Sequence, residues 1–164
     1  MPIVTPEWSD FFVAELGALA ALTGFVVVAI SINLSRILAF PWLPGRAAEA
    51  LIGPVGAMTV TGLALVPGQP AALLGAEIFA VGLVTVLAST IIQVRARGVR
   101  KDTTPAQRIV RIAASEGVTL AFAVGGALLI LGRTAGLYWI AAGDIACLIA
   151  IVLSAWVLMV EIMR

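Results

Sequence analysis

Between about residues 10 and 34 the chain is almost wholly apolar, and its only charged side chains there are Asp10 and Glu15. About 20 apolar residues are needed for a helix to cross the hydrocarbon of a bilayer, so a run of this length limits the chain to few environments. Four further runs are comparable, at about 47–66, 71–94, 109–131 and 137–160. Only helices and closed barrels can span lipid, because backbone groups find no partner there. Barrel strands alternate polar and apolar over about ten residues, and these runs are too long and too evenly apolar for that. The expected fold is all-α: one polytopic transmembrane domain over residues 1–164, with five spans.

Composition agrees. Of the residues, 62% are apolar and 12% charged, with a mean hydropathy of +1.13, whereas soluble domains run near half apolar and about a quarter charged. A soluble fold of 164 residues would have to expose much of this apolar surface. Histidine is absent and Cys147 is the only cysteine, which excludes an internal disulfide and removes the usual ligand or base of zinc, haem and Ser-His-Asp sites. No phosphate loop, nucleophile elbow, CxxC or dinucleotide fingerprint is present, and no basic patch is interleaved with stacking aromatics as nucleic acid would require. The chain therefore reads as non-enzymatic, without cofactor or metal, and with lipid as its main surroundings. No Lys or Arg precedes Arg36, so the N-terminal run lacks the basic region of a cleavable signal and reads as a retained span.

Between the spans lie helix breakers. Pro44 in Phe40-Pro41-Trp42-Leu43-Pro44-Gly45 lacks a donor and biases Leu43 to extended geometry. Pro67-Gly68-Gln69-Pro70 reads as a tight turn, and Thr104-Pro105-Ala106-Gln107 as a capping box with proline at the first helical position. Gly132-Arg133-Thr134-Ala135-Gly136 is the weakest break, with one long kinked helix as the alternative. Gly53-Pro54 inside the second span is expected to kink it. Five spans place Arg36, Arg46, Arg95, Arg97, Arg100, Lys101, Arg108, Arg111 and Arg164 on one side and Arg133 alone on the other. Cytoplasmic loops are enriched in Lys and Arg, so the N-terminus is expected outside and the C-terminus in the cytoplasm. The base-rich loop Arg95–Lys101 would also attract anionic headgroups. Abundant Ala, Gly and Arg with a single Lys points to a GC-rich bacterial genome and a bacterial cytoplasmic membrane. Trp8, Trp42, Tyr138-Trp139 and Trp156 fall at expected interfaces, where amphipathic rings settle.

Four acids lie inside expected spans: Glu15, Glu77, Glu116 and Asp144. On the insertion scale a charged residue at mid-membrane costs about 2.5–3.5 kcal/mol, so such side chains usually face protein or a watery cavity. Glu15, Glu77 and Asp144 fall at similar depths in outward-to-inward spans, roughly 8–11 Å below the outer boundary at 1.5 Å per residue. Their surroundings look alike, Ala14-Glu15-Leu16-Gly17-Ala18, Ala76-Glu77-Ile78-Phe79-Ala80 and Gly143-Asp144-Ile145-Ala146-Cys147, as a degenerate helix-pair repeat would produce. A ring of carboxylates binding a cation or relaying protons is one reading. Snorkelling acids, or acids paired with Arg133, are the other. Glu116 lies near Arg108 and Arg111 and reads as offset by them.

Glu15 and Asn33 share one face of the first span, with Leu19, Leu22, Val26 and Ala29 between them. Glu77 and Arg95 repeat the layout around Val81, Val84, Ala88 and Ile91. An outer acid, an apolar middle and a polar or basic inner end suit a gated cation pore, with Asn33 as an inner constriction. The arrangement resembles the pore helix of Orai-type calcium channels; the likeness covers one helix, shares no motif and runs in the opposite membrane direction. A buried helix with polar ends is the alternative.

Ala142, Ala146, Ala150 and Ser154 form a stripe of small residues along the fifth span, and Gly17-Ala21, Ala20-Gly24, Gly53-Ala57 and Ala121-Gly125 are similar pairs suited to helix packing. The chain is thus expected to form a homo-oligomeric channel or transporter for a small cation, its acidic layer made of Glu15, Glu77 and Asp144. The alternative is a non-transporting module that assembles with or regulates a larger membrane complex.

Overall fold

The computed structural model describes residues 4–41, 43–96 and 105–160, the side chains of 96, 105–116 and 157–160 excepted. The loop bases Arg97, Arg100 and Lys101, together with Thr104, Trp42 and Arg164, lie outside the described residues, as do the side chains of Arg108, Arg111 and Glu116. All regular structure among the described residues is helical: α1 (Pro6–Ile32), α2 (Leu34–Ala39), α3 (Leu43–Ala64), α4 (Ala71–Ala96), α5 (Pro105–Ile130) and α6 (Ala135–Val160). The five long helices match the five apolar runs to within a turn or so.

The departures are local. α1 stops at Asn33, where the side-chain Nδ2 donates to the Ala29 carbonyl at 2.9 Å, and the chain resumes as the short helix α2, which the apolar pattern did not separate. Pro44 and Gly45, expected in the break, lie in the first turn of α3; proline fits there because its missing N–H would have no intrahelical partner anyway. α3 continues through Pro54 without interruption. The last break is a true turn. Gly132 takes φ +72, Arg133 N–H donates to Leu128 C=O at 2.8 Å and Gly132 N–H to Leu129 C=O at 2.9 Å. That pair of bonds is a Schellman closure, so α5 and α6 are separate helices.

α3 packs antiparallel against α4, α4 against α5, and α5 against α6, while α1 lies beside both α3 and α6 and α3 also touches α6. The long helices therefore close into a ring, α1–α3–α4–α5–α6, with the α3–α6 contact bridging its centre. α1 and α6 run in the same direction, since Trp8 meets Tyr138. Where α4, α5 and α6 meet, glycines let backbones touch. A Cβ on Gly126 would sit 2.7 Å from the Gly75 carbonyl oxygen, and one on Gly136 would sit 2.5 Å from that of Gly125. Without a hydrophobic drive between helices in lipid, close backbone approach of this kind supplies packing energy.

The outside of the ring is apolar. Val84 is 65% and Trp156 67% exposed, and Leu38, Leu120, Leu131 and Leu153 also point outward. A water-soluble protein rarely shows so continuous an apolar surface. Four helices among the described residues, Pro6–Ile32, Leu43–Ala64, Ala71–Arg95 and Ala135–Trp156, are long and apolar enough to cross a membrane, and the described part of α5, Gly117–Ile130, is a shorter apolar stretch. The chain has the form of a helical integral membrane protein.

Candidate functional site

α6 turns Leu137, Ile140, Gly143, Asp144, Cys147 and Ile151 inward, positions three and four apart that make one helical face. Asp144 is thereby carried to the centre of the ring and is 0% exposed. From α3, Thr61 Oγ1 lies 3.0 Å from Asp144 Oδ2 and 2.8 Å from the Ala57 carbonyl oxygen of its own helix. The second oxygen, Asp144 Oδ1, is enclosed and has no hydrogen-bond partner. On the α5 side the ring of Phe122 covers Gly143; a Cβ there would come within 2.7 Å of Cε1, so only glycine admits the phenyl edge beside the acid.

Glu15 lies on the neighbouring helix α1 and is half-buried. It sits on the face that buries Phe12, Leu19, Val26 and Ala29, and its Oε2 is enclosed without a partner. Cys147, a buried free thiol, is one turn further along α6. Toward the nearer end of the bundle, Trp8 packs edge-on to Tyr138 at 4.9 Å and stacks with Phe12 at 5.6 Å. By helical rise this aromatic group lies roughly 9–10 Å from the carboxyls. The site is a buried acid of α6 bonded to a hydroxyl of α3, with a half-buried acid on neighbouring α1, beneath an aromatic cap.

Glu77 is placed elsewhere. It accepts a hydrogen bond from Gln69 Nε2 in the α3–α4 turn, and among the described residues α4 packs against α3 and α5 and not against α1 or α6. Register across Gly75–Gly126, Gly125–Gly136, Gly82–Phe122 and Gly143–Phe122 sets Glu77 about six residues, roughly 9 Å, nearer the bundle end than Asp144. Arg133 is exposed on the α5–α6 turn and, among the described residues, pairs with none of the three acids. Asn33 caps α1 roughly 27 Å from Glu15 by helical rise.

The stripe from Glu15 to Asn33 is the packed face of α1, with Leu19 and Val26 fully buried. Its counterpart on α4 is largely outward, Val84 and Ile91 being 65% and 50% exposed. Ala142 and Ala146 are exposed, and Ala150 and Ser154 half-buried, on the flank of α6 that the ring does not cover.

Two features had no clear signal in the sequence. Thr61 is one of several threonines in apolar helices, and a threonine can satisfy itself by bonding the carbonyl four residues back, so nothing marked this one as a partner for an acid. α4 also presents buried Thr85, Ser89 and Gln93, four residues apart. Gln93 Nε2 donates to Glu49 Oε1 of α3 at 2.8 Å, which makes a polar seam along the α3–α4 contact toward the opposite end of the bundle.

The fold and this site define a helical membrane protein with one acid, Asp144, buried in its interior. No known protein family matches the chain, and neither a curated protein nor a solved structure matches it.

Proposed function

We propose that the chain is a five-span protein of a bacterial cytoplasmic membrane, N-terminus outside and C-terminus in the cytoplasm, that moves a small cation by way of Glu15 and Asp144. The observation that carries this reading is an acid buried inside the bundle, Asp144, and a half-buried one on the neighbouring helix, Glu15, each with an enclosed oxygen that nothing satisfies. Ionisable groups at membrane depth are costly and mark ion or proton paths. The aromatic cap on one side and the buried face of α1 on the other separate the pair from both ends, as a gated or alternating route requires. Glu77, hydrogen-bonded to Gln69, belongs in this proposal as an outer approach and not as a member of the pair. The distribution of bases supports the orientation: Arg36, Arg46 and Arg95 lie at the bundle end opposite Arg133, in keeping with a cytoplasmic excess of positive charge.

The uncovered small-residue flank of α6, Ala142, Ala146, Ala150 and Ser154, supports assembly with further helices. A homo-oligomer uses it in the first reading. In the second, the chain is a non-transporting module and that flank seats a larger complex. Ion flux into liposomes holding the purified protein, scanned over protons, potassium, sodium and calcium, separates the two. Transport predicts selective flux for one ion. Silence for all four, with the protein folded, favours the module.

A further inference from the structure

We propose that Asp144 holds a proton in the resting protein, so that the cation handled at this site is the proton. The inference rests on the cation-handling reading for the use made of that proton, and on hydrogen-bond accounting for its presence.

The Thr61 hydroxyl has one hydrogen and two acceptors within reach, the Ala57 carbonyl oxygen at 2.8 Å and Asp144 Oδ2 at 3.0 Å. Were Asp144 ionised, that hydrogen would serve one oxygen and leave the other facing a lone pair. With a proton on Oδ2, the acid donates to Thr61 Oγ1 and Thr61 donates to Ala57, and both short contacts become hydrogen bonds. A protonated acid also leaves Oδ1 a neutral carbonyl oxygen. Neutral groups are far cheaper than ions to leave unpartnered in a medium without water.

Glu15 on α1 likewise has an enclosed oxygen without a donor, its side chain as a whole being half-buried. Nothing described offsets either acid. α6 packs against α1, α3 and α5. From α1 the facing titratable group is Glu15 itself, and α6 adds only the thiol of Cys147 nearby. α3 offers Thr61, its charged residues Arg46 and Glu49 lying three or more turns away, and the described side chains of α5 include no charge.

A metal ion fits the donor set less well. Calcium takes six to eight oxygens, whereas one carboxyl and one hydroxyl meet here, and among the described residues no group of three or more His, Cys, Asp or Glu could hold a metal ion. A proton needs a single lone pair. Loading adds a proton to a carboxylate oxygen, release returns it to water or to the next acceptor, and no other reactant takes part.

Infrared spectra of the full chain in lipid bilayers at neutral pH test this directly. The expected result is a carbonyl stretch of a protonated carboxylic acid. It moves on transfer to D2O, shifts when aspartate is labelled with carbon-13, and is absent from the E15Q/D144N double variant. It is unchanged when sodium replaces choline in the buffer. Carboxylate bands alone, a band blind to the aspartate label, or a band removed by sodium would overturn the assignment. The isotope result comes from the unaltered protein and stands even if the double variant does not fold. Proton flux in the same liposomes keeps the two readings apart: the band without flux retains the proton site and removes transport, and flux without the band does the reverse.

Discussion

At the scale of single residues, the acids were the legible part of this chain and their partners were not. Glu15 and Asp144 stand out because a charge in an apolar run is rare, yet nothing in the pattern told which acids lie on neighbouring helices. Helical periodicity places a residue on a face of its own helix and leaves the neighbour of that face open. Glu77 shares the sequence surroundings of the other two and still lies on a helix that touches neither of theirs. The glycines divide in the same way. Gly126 looks like any helical glycine in the sequence, but a Cβ there would press on Gly75 O at 2.7 Å and Phe79 N at 2.8 Å. Those are backbone atoms, so α4 and α5 would have to separate. Gly126→Ala is expected to lower unfolding stability in detergent by on the order of 1–3 kcal/mol, as overpacking does. Gly17→Ala, whose Cβ would meet nothing within 4 Å, is expected to be neutral or stabilising by less than about 1 kcal/mol. Equal losses at both positions would contradict the packing described.

At the scale of helices, hydropathy located all five long elements because each is a long apolar run, and four of them are long and apolar enough to cross a bilayer. Their ends depended on local chemistry that hydropathy does not register. Asn33 ends α1 through its own side chain, α2 is a helix of six residues, and Pro44 begins α3 where it was expected to delay it. The turn between α5 and α6 hangs on Gly132 in the left-handed region. A side chain there costs about 1–2 kcal/mol, so Gly132→Ala should destabilise by that amount in thermal unfolding, while the same change at Gly62, a helical glycine of α3 with open space around it, should not. The small stripe on α6 shows the limit of pattern at this scale. Ala142 and Ala146 sit on the uncovered flank, and the close approaches inside the ring use Gly75, Gly125, Gly126 and Gly136 instead.

At the scale of the whole molecule, Ser35 and Thr134 are both exposed and lie at opposite ends of the bundle, and the proposed five-span arrangement puts an odd number of crossings between them. With Cys147 replaced by Ala, a membrane-impermeant maleimide applied to intact cells should label Thr134→Cys and spare Ser35→Cys. Label on both would give an even number of crossings and contradict the five-span arrangement; label on Ser35→Cys alone would invert the orientation. What the sequence could not convey at this scale is the closure of the ring. Which helices adjoin depends on contacts between residues far apart in the chain, such as Trp8 with Tyr138 and Thr61 with Asp144, and these leave no periodic trace.

The most direct test of the account is proton flux into liposomes for four versions of the chain: unaltered, D144N, E15Q and E77Q. The proposed route through Asp144 and Glu15 predicts that D144N and E15Q abolish flux while remaining folded, and that E77Q, altered on a helix that touches neither α1 nor α6, retains most of it. Loss of flux in E77Q together with unaltered flux in D144N would place the path along α4 and contradict the site proposed here.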